Sequence, residues 1–315
     1  MSQWGQSHAS GGVARTVPSP RRPRSQEVDL KLAIHESSGR PGQTELKGAA
    51  DKVAERFPFA DYFDPFLSGH LSVAQTVTRH LAQGSRLLDF GAGPADKTAV
   101  LAALGYKCTA LDDLGDEWHK RGEARQMILD FAGDMGIEYI TLDAGELPDH
   151  QEFDMLMLHD VLEHLHDSPR DLLNDLLEHV REGGYLYITV PNHVNLRKRV
   201  AVLRGKTSHP QYELYYWYPG NWRGHVREYT RGDCIALART LGLELVEVRG
   251  VHHMLHKVPR RLLRIYLAVS RLAPSTRDTW SMVARKPVGW TPKTQLDDEE
   301  FRELTGAKSW SELAH

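Results

Sequence analysis

From Leu71 onward the apolar positions alternate between two rhythms. Short, mostly apolar runs, such as "RLLDF" before the first glycine turn and "FDMLML" at 153–158, read as strands buried on both faces. Between them, apolar residues recur at steps of three and four, the signature of helices with one buried face. This pattern predicts helix 71–82, strand 85–90, helix 96–104, strand 107–111, helix 116–135 and strand 137–142. It continues with strand 153–158, helix 168–181, strand 184–190, helix 230–241, strand 243–250, helix 258–272 and strand 279–285. Such alternation implies parallel strands joined by crossover helices. The expected fold is therefore α/β, a doubly wound, mostly parallel sheet of seven strands with ligands at the strands' carboxyl ends. Residues 193–228 interrupt the rhythm after the fifth strand and are expected to form an inserted lid.

The flanks behave differently. Residues 1–45 are rich in Ser, Gly, Pro and Arg with hardly any apolar periodicity, the composition of a disordered arm. The main domain is expected over 46–290, and 291–315 reads as a polar C-terminal tail with room for one short helix. A net charge of −3 over 315 residues argues against coating nucleic acid by bulk charge. Cys108 and Cys234 offer neither a metal spacing nor a disulfide framework, and no apolar h-region or spanning run stands out. These features together predict a soluble, cytoplasmic protein.

The first strand delivers Asp89 into the turn "GAGPADK". Glycines there let the backbone approach a ligand, and the following helix start offers free N–H groups. A dinucleotide fingerprint fails, because Asp96 stands where its third glycine belongs, and no Gly-Lys-Ser/Thr closes a P-loop. The second strand ends in Asp112 and Asp113, about twenty residues on, where a carboxylate can accept both ribose hydroxyls. The third ends in Asp143, able to meet an adenine edge, followed by the small Ala144. The strand ends suit an adenosine without phosphates, and an acid-lined turn suits a cation.

At these residues the sequence resembles the class I S-adenosylmethionine-dependent methyltransferases, whose first motif is an acid followed by G-x-G-x-G. Asp89, Gly91 and Gly93 match it, with Ala95 departing from the third glycine. The resemblance covers roughly 68–286 and implies a Rossmann-like sheet binding S-adenosylmethionine. It implies a cofactor set of Asp89, Gly91, Ala92, Gly93, Asp112, Asp113, Asp143, Ala144 and His159.

Acceptor chemistry should sit at the fourth strand's end or in the insertion, where His159, Asp160, His193, His225 and Tyr229 fall. Aligning a nucleophile with an already electrophilic methyl is most of the task, and a base such as His159 helps a hydroxyl. In "HDVLEH", Asp160, Glu163 and His164 stand at i, i+3 and i+4, which predicts one polar face of a helical turn. This pattern resembles the E-x-x-E-H of the small-RNA 2′-O-methyltransferases and the ubiquinone-biosynthesis O-methyltransferases. That resemblance implies a divalent metal on Asp160, Glu163 and His164, with His225 as the downstream histidine and Asp160 a shortened first arm. The catalytic candidates are His159, Asp160 and His225.

The expected activity is methyl transfer to a hydroxyl of a small molecule, glycan or lipid-linked acceptor, with N- and C-methylation open. The basic and aromatic insertion also permits RNA as acceptor, and cofactor binding without catalysis, as a regulator or scaffold, is the third reading. The basic amphipathic segment 257–272 suits packing on the last strands or contact with a membrane surface.

Overall fold

The structure, a computed structural model, describes residues 41–59, 61–143 and 152–313. The arm expected over 1–45 lies outside the described residues up to Arg40, and its last positions begin a helix instead of continuing an arm. Helix α1 spans Gln43–Arg56, because Leu46, Ala49, Ala50 and Val53 recur at helical spacing and are all buried. Helix α2 runs over Phe63–His80, starting a full two turns before the expected 71. Pro65 sits in its first turn, where a missing N–H costs nothing.

The sheet then follows the predicted order closely. Strand β1 (Arg86–Phe90) leads to α3 (Asp96–Ala103), β2 (Lys107–Asp112), α4 (Ala124–Asp134) and β3 (Glu138–Thr141). Helix α4 begins later than expected, since residues 116–123 form turns ending at Gly122, whose φ is +53°. After β4 (Phe153–His159) come α5 (Arg170–Glu178) and the long β5 (Val180–Pro191). The insertion holds α6 (Leu196–Leu203) and α7 (Tyr212–Tyr216), and α8 (Arg231–Thr240) returns the chain to β6 (Glu244–Val251). Helix α9 (Arg260–Leu272) crosses to β7 (Thr279–Arg285). The C-terminal segment carries two short helices rather than one, α10 (Asp298–Thr305) and α11 (Trp310–Leu313), with Phe301 of α10 buried.

The seven strands lie in the order β3-β2-β1-β4-β5-β7-β6. Only β7 is reversed, pairing antiparallel with both β5 and β6. Two apolar layers sandwich the sheet. One includes Leu87, Val100 and Met155 under α1–α3; the other includes Leu88, Leu156 and Leu177 under α5 and α8. Strand order reverses between β1 and β4, which pair directly with Phe90 opposite Leu158. A crevice opens at that point beyond their carboxyl ends.

Candidate active site

A cavity of about 270 Å³ fills this crevice, floored by Gly91–Gly93 and walled by His159, Asp160 and Glu163. Its roof is aromatic, with Tyr62 and Phe66 of the α1–α2 region and Trp118 of the β2–α4 loop. These three were missed in the sequence: Tyr62 and Phe66 precede the first predicted element at Leu71, and Trp118 was read as part of a helix that begins only at Ala124. A cluster of aromatic residues at 57–66 was the available signal.

On the β1 side, backbone geometry dominates. Gly91 has φ +73°, and a Cβ there would lie 2.4 Å from Val161 Cγ2, so only glycine fits. Ala95 takes φ +58°, the left-handed conformation for which the motif's third position prefers glycine. Asp89 is buried and accepts a 2.5 Å hydrogen bond from Thr98 Oγ1, while Oδ1 has no partner among the described residues. Burial pushes its carboxyl up to about 7. Asp112 ends β2 with Oδ2 accepting the Gly93 N–H at 2.8 Å and Oδ1 the Leu114 N–H at 2.6 Å. Its carboxylate is thus tied to the glycine turn. The glycine turn leaves room for a ligand, since Gly93 has open space where a side chain would stand, whereas Asp89 and Asp112 are not among the residues that line the cavity.

Two other acids are placed differently from their expected roles. Asp113 is engaged by Arg223 at 3.2 Å, which also bonds Asp116 at 3.0 Å, so it tethers the insertion to the β2 loop. Asp143 is exposed and paired with Arg125 at 2.6 Å, outside the residues lining the cavity. Ala144 lies outside the described residues.

On the β4 side, side chains converge from distant segments. Asp160 adopts φ +60°, so it does not join a helical turn with Glu163 and His164; only Leu162–His164 form a short 3₁₀ turn. The expected shared face is therefore absent. Asp160 instead faces Lys97 at 3.3 Å and His253 Nδ1 at 3.4 Å. Burial opposes its charge, but His253 and Lys97 outweigh it and hold the carboxyl below its usual value. Gly69 makes this possible, since a Cβ there would stand 2.1 Å from the His253 ring. His159 is buried, with Nδ1 3.1 Å from Thr189 Oγ1 and Nε2 unpartnered among the described residues. Burial, reinforced by Lys97, pulls its ring down to about 3. It is a neutral polar wall at physiological pH and a weak proton acceptor.

Glu163 is the unusual group. Its side chain is 0% exposed, and among the described residues neither carboxylate oxygen has a hydrogen-bond partner. Burial first, and Asp160 second, push its carboxyl well above the ordinary value. Facing Oε1 are His164 Nε2 at 3.9 Å and His225 Nε2 at 4.0 Å. The opposite ring nitrogens are already fixed. His164 Nδ1 lies 2.7 Å from the Arg223 carbonyl, and His225 Nδ1 lies 2.7 Å from Glu228 Oε1. Such outer contacts set the tautomer that leaves Nε2 free to ligate. Ligand atoms of all three residues lie within 4.8 Å of one another, so an orphaned carboxylate and two oriented imidazoles fit a divalent cation.

Delivery of His225 depends on the insertion folding back. The Val226 N–H donates to the Glu163 carbonyl at 2.6 Å, and the Tyr229 N–H to Pro191 at 3.2 Å. Tyr229 itself is buried in the core, and His193 stands 3.6 Å from Glu228. Glu228, also paired with Lys198, was not identified in the sequence, where "HVRE" gives it only an i, i+3 spacing from His225. Beyond it, a second cavity of about 750 Å³ opens among His166, Tyr215, Tyr218, Asn221 and Trp222.

This strand order, with a glycine turn at its switch point, defines a Rossmann-like domain whose crevice lies where such folds bind nucleoside cofactors. A model of the methyltransferase domain family matches residues 67–248, more than half of the chain. The chain belongs to this family and is a class I S-adenosylmethionine-dependent methyltransferase. Among curated proteins it is 24% identical over 183 residues to a ubiquinone biosynthesis O-methyltransferase of Rickettsia canadensis, covering 57% of this chain and 72% of that one. It is 28% identical over 128 residues to the mitochondrial ubiquinone biosynthesis O-methyltransferase of Schizosaccharomyces pombe, covering 39% of this chain. That match spans less than half, 44%, of the yeast enzyme. Among solved structures, the N-methyltransferase NodS of Bradyrhizobium japonicum, in complex with S-adenosyl-L-homocysteine, aligns with a TM-score of 0.44 at 14% identity. The alignment covers 77% of this chain and 98% of that one.

Proposed function

We propose that the enzyme methylates a hydroxyl of a small-molecule acceptor, and that Glu163, His164 and His225 hold a divalent cation against which that hydroxyl is placed. The observation that carries this reading is the Glu163 carboxylate, buried without a hydrogen bond among the described residues and faced by two imidazole nitrogens. When bound, the sulfonium would supply an electrophilic methyl and the cation a Lewis acid for the acceptor oxygen. The protein's own part is alignment and exclusion of water. Gly91 and Gly93 let the cofactor's aminoacyl end approach the backbone, and Asp112 faces the ribose. Tyr62, Phe66 and Trp118 close the cavity from above. Asp160 and Lys97 fix the charge of the wall between the two halves, and neutral His159 offers Nε2 as a hydrogen-bonding group. The two relatives described above, both O-methyltransferases of ubiquinone biosynthesis, support oxygen as the acceptor atom.

The test is to incubate the protein with isotopically labelled cofactor and cell extract and identify labelled products by mass spectrometry. The expected product is an O-methylated small molecule, formed only before chelation and again after Mn²⁺ is restored. Label confined to RNA, or transfer surviving exhaustive chelation, would contradict the reading.

A further inference from the structure

Helix α9 carries a feature that neither cofactor nor acceptor chemistry uses. Leu262, Ile265, Val269 and Leu272 recur at helical spacing on one stripe, and all four are exposed, Ile265 at 63% and Leu272 at 87%. The buried side of the helix is a different face, held by Tyr266 and Ser270. Arg260, Arg261, Arg264 and Arg271 flank the stripe. Helix α6 repeats the design on a smaller scale, with Val202 and Leu203 exposed beside Arg199 and Arg204.

The two helices adjoin. Arg199 Nη2 lies 3.4 Å from the Ser275 carbonyl in the turn that follows α9, and Arg197 is near enough to Lys257 and Tyr266 to act on both electrostatically. Residues 194–212 hold five Lys or Arg and 252–277 hold six, with no Asp or Glu in either segment, in a chain of net charge −3. The positive charge is therefore concentrated around one set of exposed aliphatic side chains.

We infer that α6 and α9 form a docking face for an anionic membrane surface. Aliphatic side chains beside arginines, with acids absent, match the two demands of a bilayer interface, apolar insertion and attraction to negative headgroups. Nucleic acid would use the arginines but gain little from Leu, Ile and Val. A second copy of the chain would bring arginines against arginines. The face borders the active site: Met254 lines the cavity, and the 3₁₀ turn Leu255–Lys257 leads directly into α9. Docking would place the cavity beside the lipid. Among the described residues no helix is long and apolar enough to cross a membrane, so the contact is peripheral.

The test is co-sedimentation of the full chain with vesicles of phosphatidylcholine alone and of phosphatidylcholine with a quarter phosphatidylglycerol. Binding is expected only to the anionic vesicles and should fall with salt. The triple variant Arg260→Gln, Arg261→Gln, Arg264→Gln should weaken it by on the order of a hundredfold. The pair Ile265→Glu and Leu272→Glu should weaken it by at least about tenfold through lost apolar insertion. All these positions are exposed, so both variants should keep the wild-type circular dichroism and affinity for S-adenosylhomocysteine. Absence of binding to anionic vesicles, or binding untouched in both variants, would overturn the proposal. So would vesicle binding unchanged in the aliphatic pair together with RNA binding lost in the arginine triple.

Discussion

The two halves of the active site are built by different means. On the β1–β2 side, a contiguous stretch from Asp89 to Asp112 makes the site with backbone conformation and two acids. On the β4 side, Glu163, His164, His225 and Glu228 meet only because the insertion turns back and hydrogen-bonds the 3₁₀ turn. The proposed cofactor half depends on the sheet. The second depends on long-range closure, which leaves it free to differ in acceptor without disturbing the first.

If the halves are separable, variants should divide cleanly between cofactor binding and transfer. The largest effect is expected for Glu163→Gln. It should reduce transfer by about a thousandfold or more, the several kcal/mol that Lewis-acid assistance is worth. Affinity for S-adenosylmethionine, measured by calorimetry, should stay within about twofold. Loss of cofactor binding in a folded variant would break the separation.

Asp89→Asn reports on the other half through stability. The Asp89 carboxyl titrates near 7 when folded, against about 3.9 when unfolded. Its folded pKa is raised, so its contribution is fully favourable below pH 4 and is lost as pH rises towards 7, after which it levels off. Asparagine removes this dependence. Denaturant unfolding should therefore show the variant gaining on wild type between pH 4 and 8, by on the order of 4 kcal/mol at the upper end. A constant difference across that range would show that Asp89 is not buried as an acid.

Asp112→Ala should weaken cofactor binding by about 2 kcal/mol, the value of charge-assisted hydrogen bonds, with cation affinity unchanged. The smallest effect is expected for Ala95→Gly. Relief of the left-handed strain, about 1 kcal/mol, offsets the lost burial of one methyl group, about 0.8 kcal/mol, so thermal unfolding should barely shift.

The same division explains what the sequence made legible. Strand order and glycine turn could be read because apolar runs and local spacing encode them; all seven strands lie within a few residues of their expected bounds. Helix α2 was started late because Pro65 and Gly69 interrupt its pattern, yet the first tolerates a helix start and the second seats His253. In the histidine half, Glu163, His164 and His225 were named from a motif, but Asp160 was grouped with them on helical spacing that its left-handed backbone abolishes. Lys97, His253 and Glu228 became visible only in three dimensions. Their partners lie 63, 93 and 3 residues away, and only the last spacing is local.

The central claim is that the buried Glu163 carboxylate and its two histidines form a cation site that is distinct from the cofactor site. Calorimetric titration of metal-free full-length protein with Mn²⁺, repeated on Glu163→Gln and on wild type saturated with S-adenosylhomocysteine, tests it directly. The account predicts one Mn²⁺ per chain in wild type with or without the cofactor product, and none in the variant. Equal Mn²⁺ binding by wild type and variant, or no stoichiometric binding of Mn²⁺, Fe²⁺ or Zn²⁺ by wild type, would contradict it.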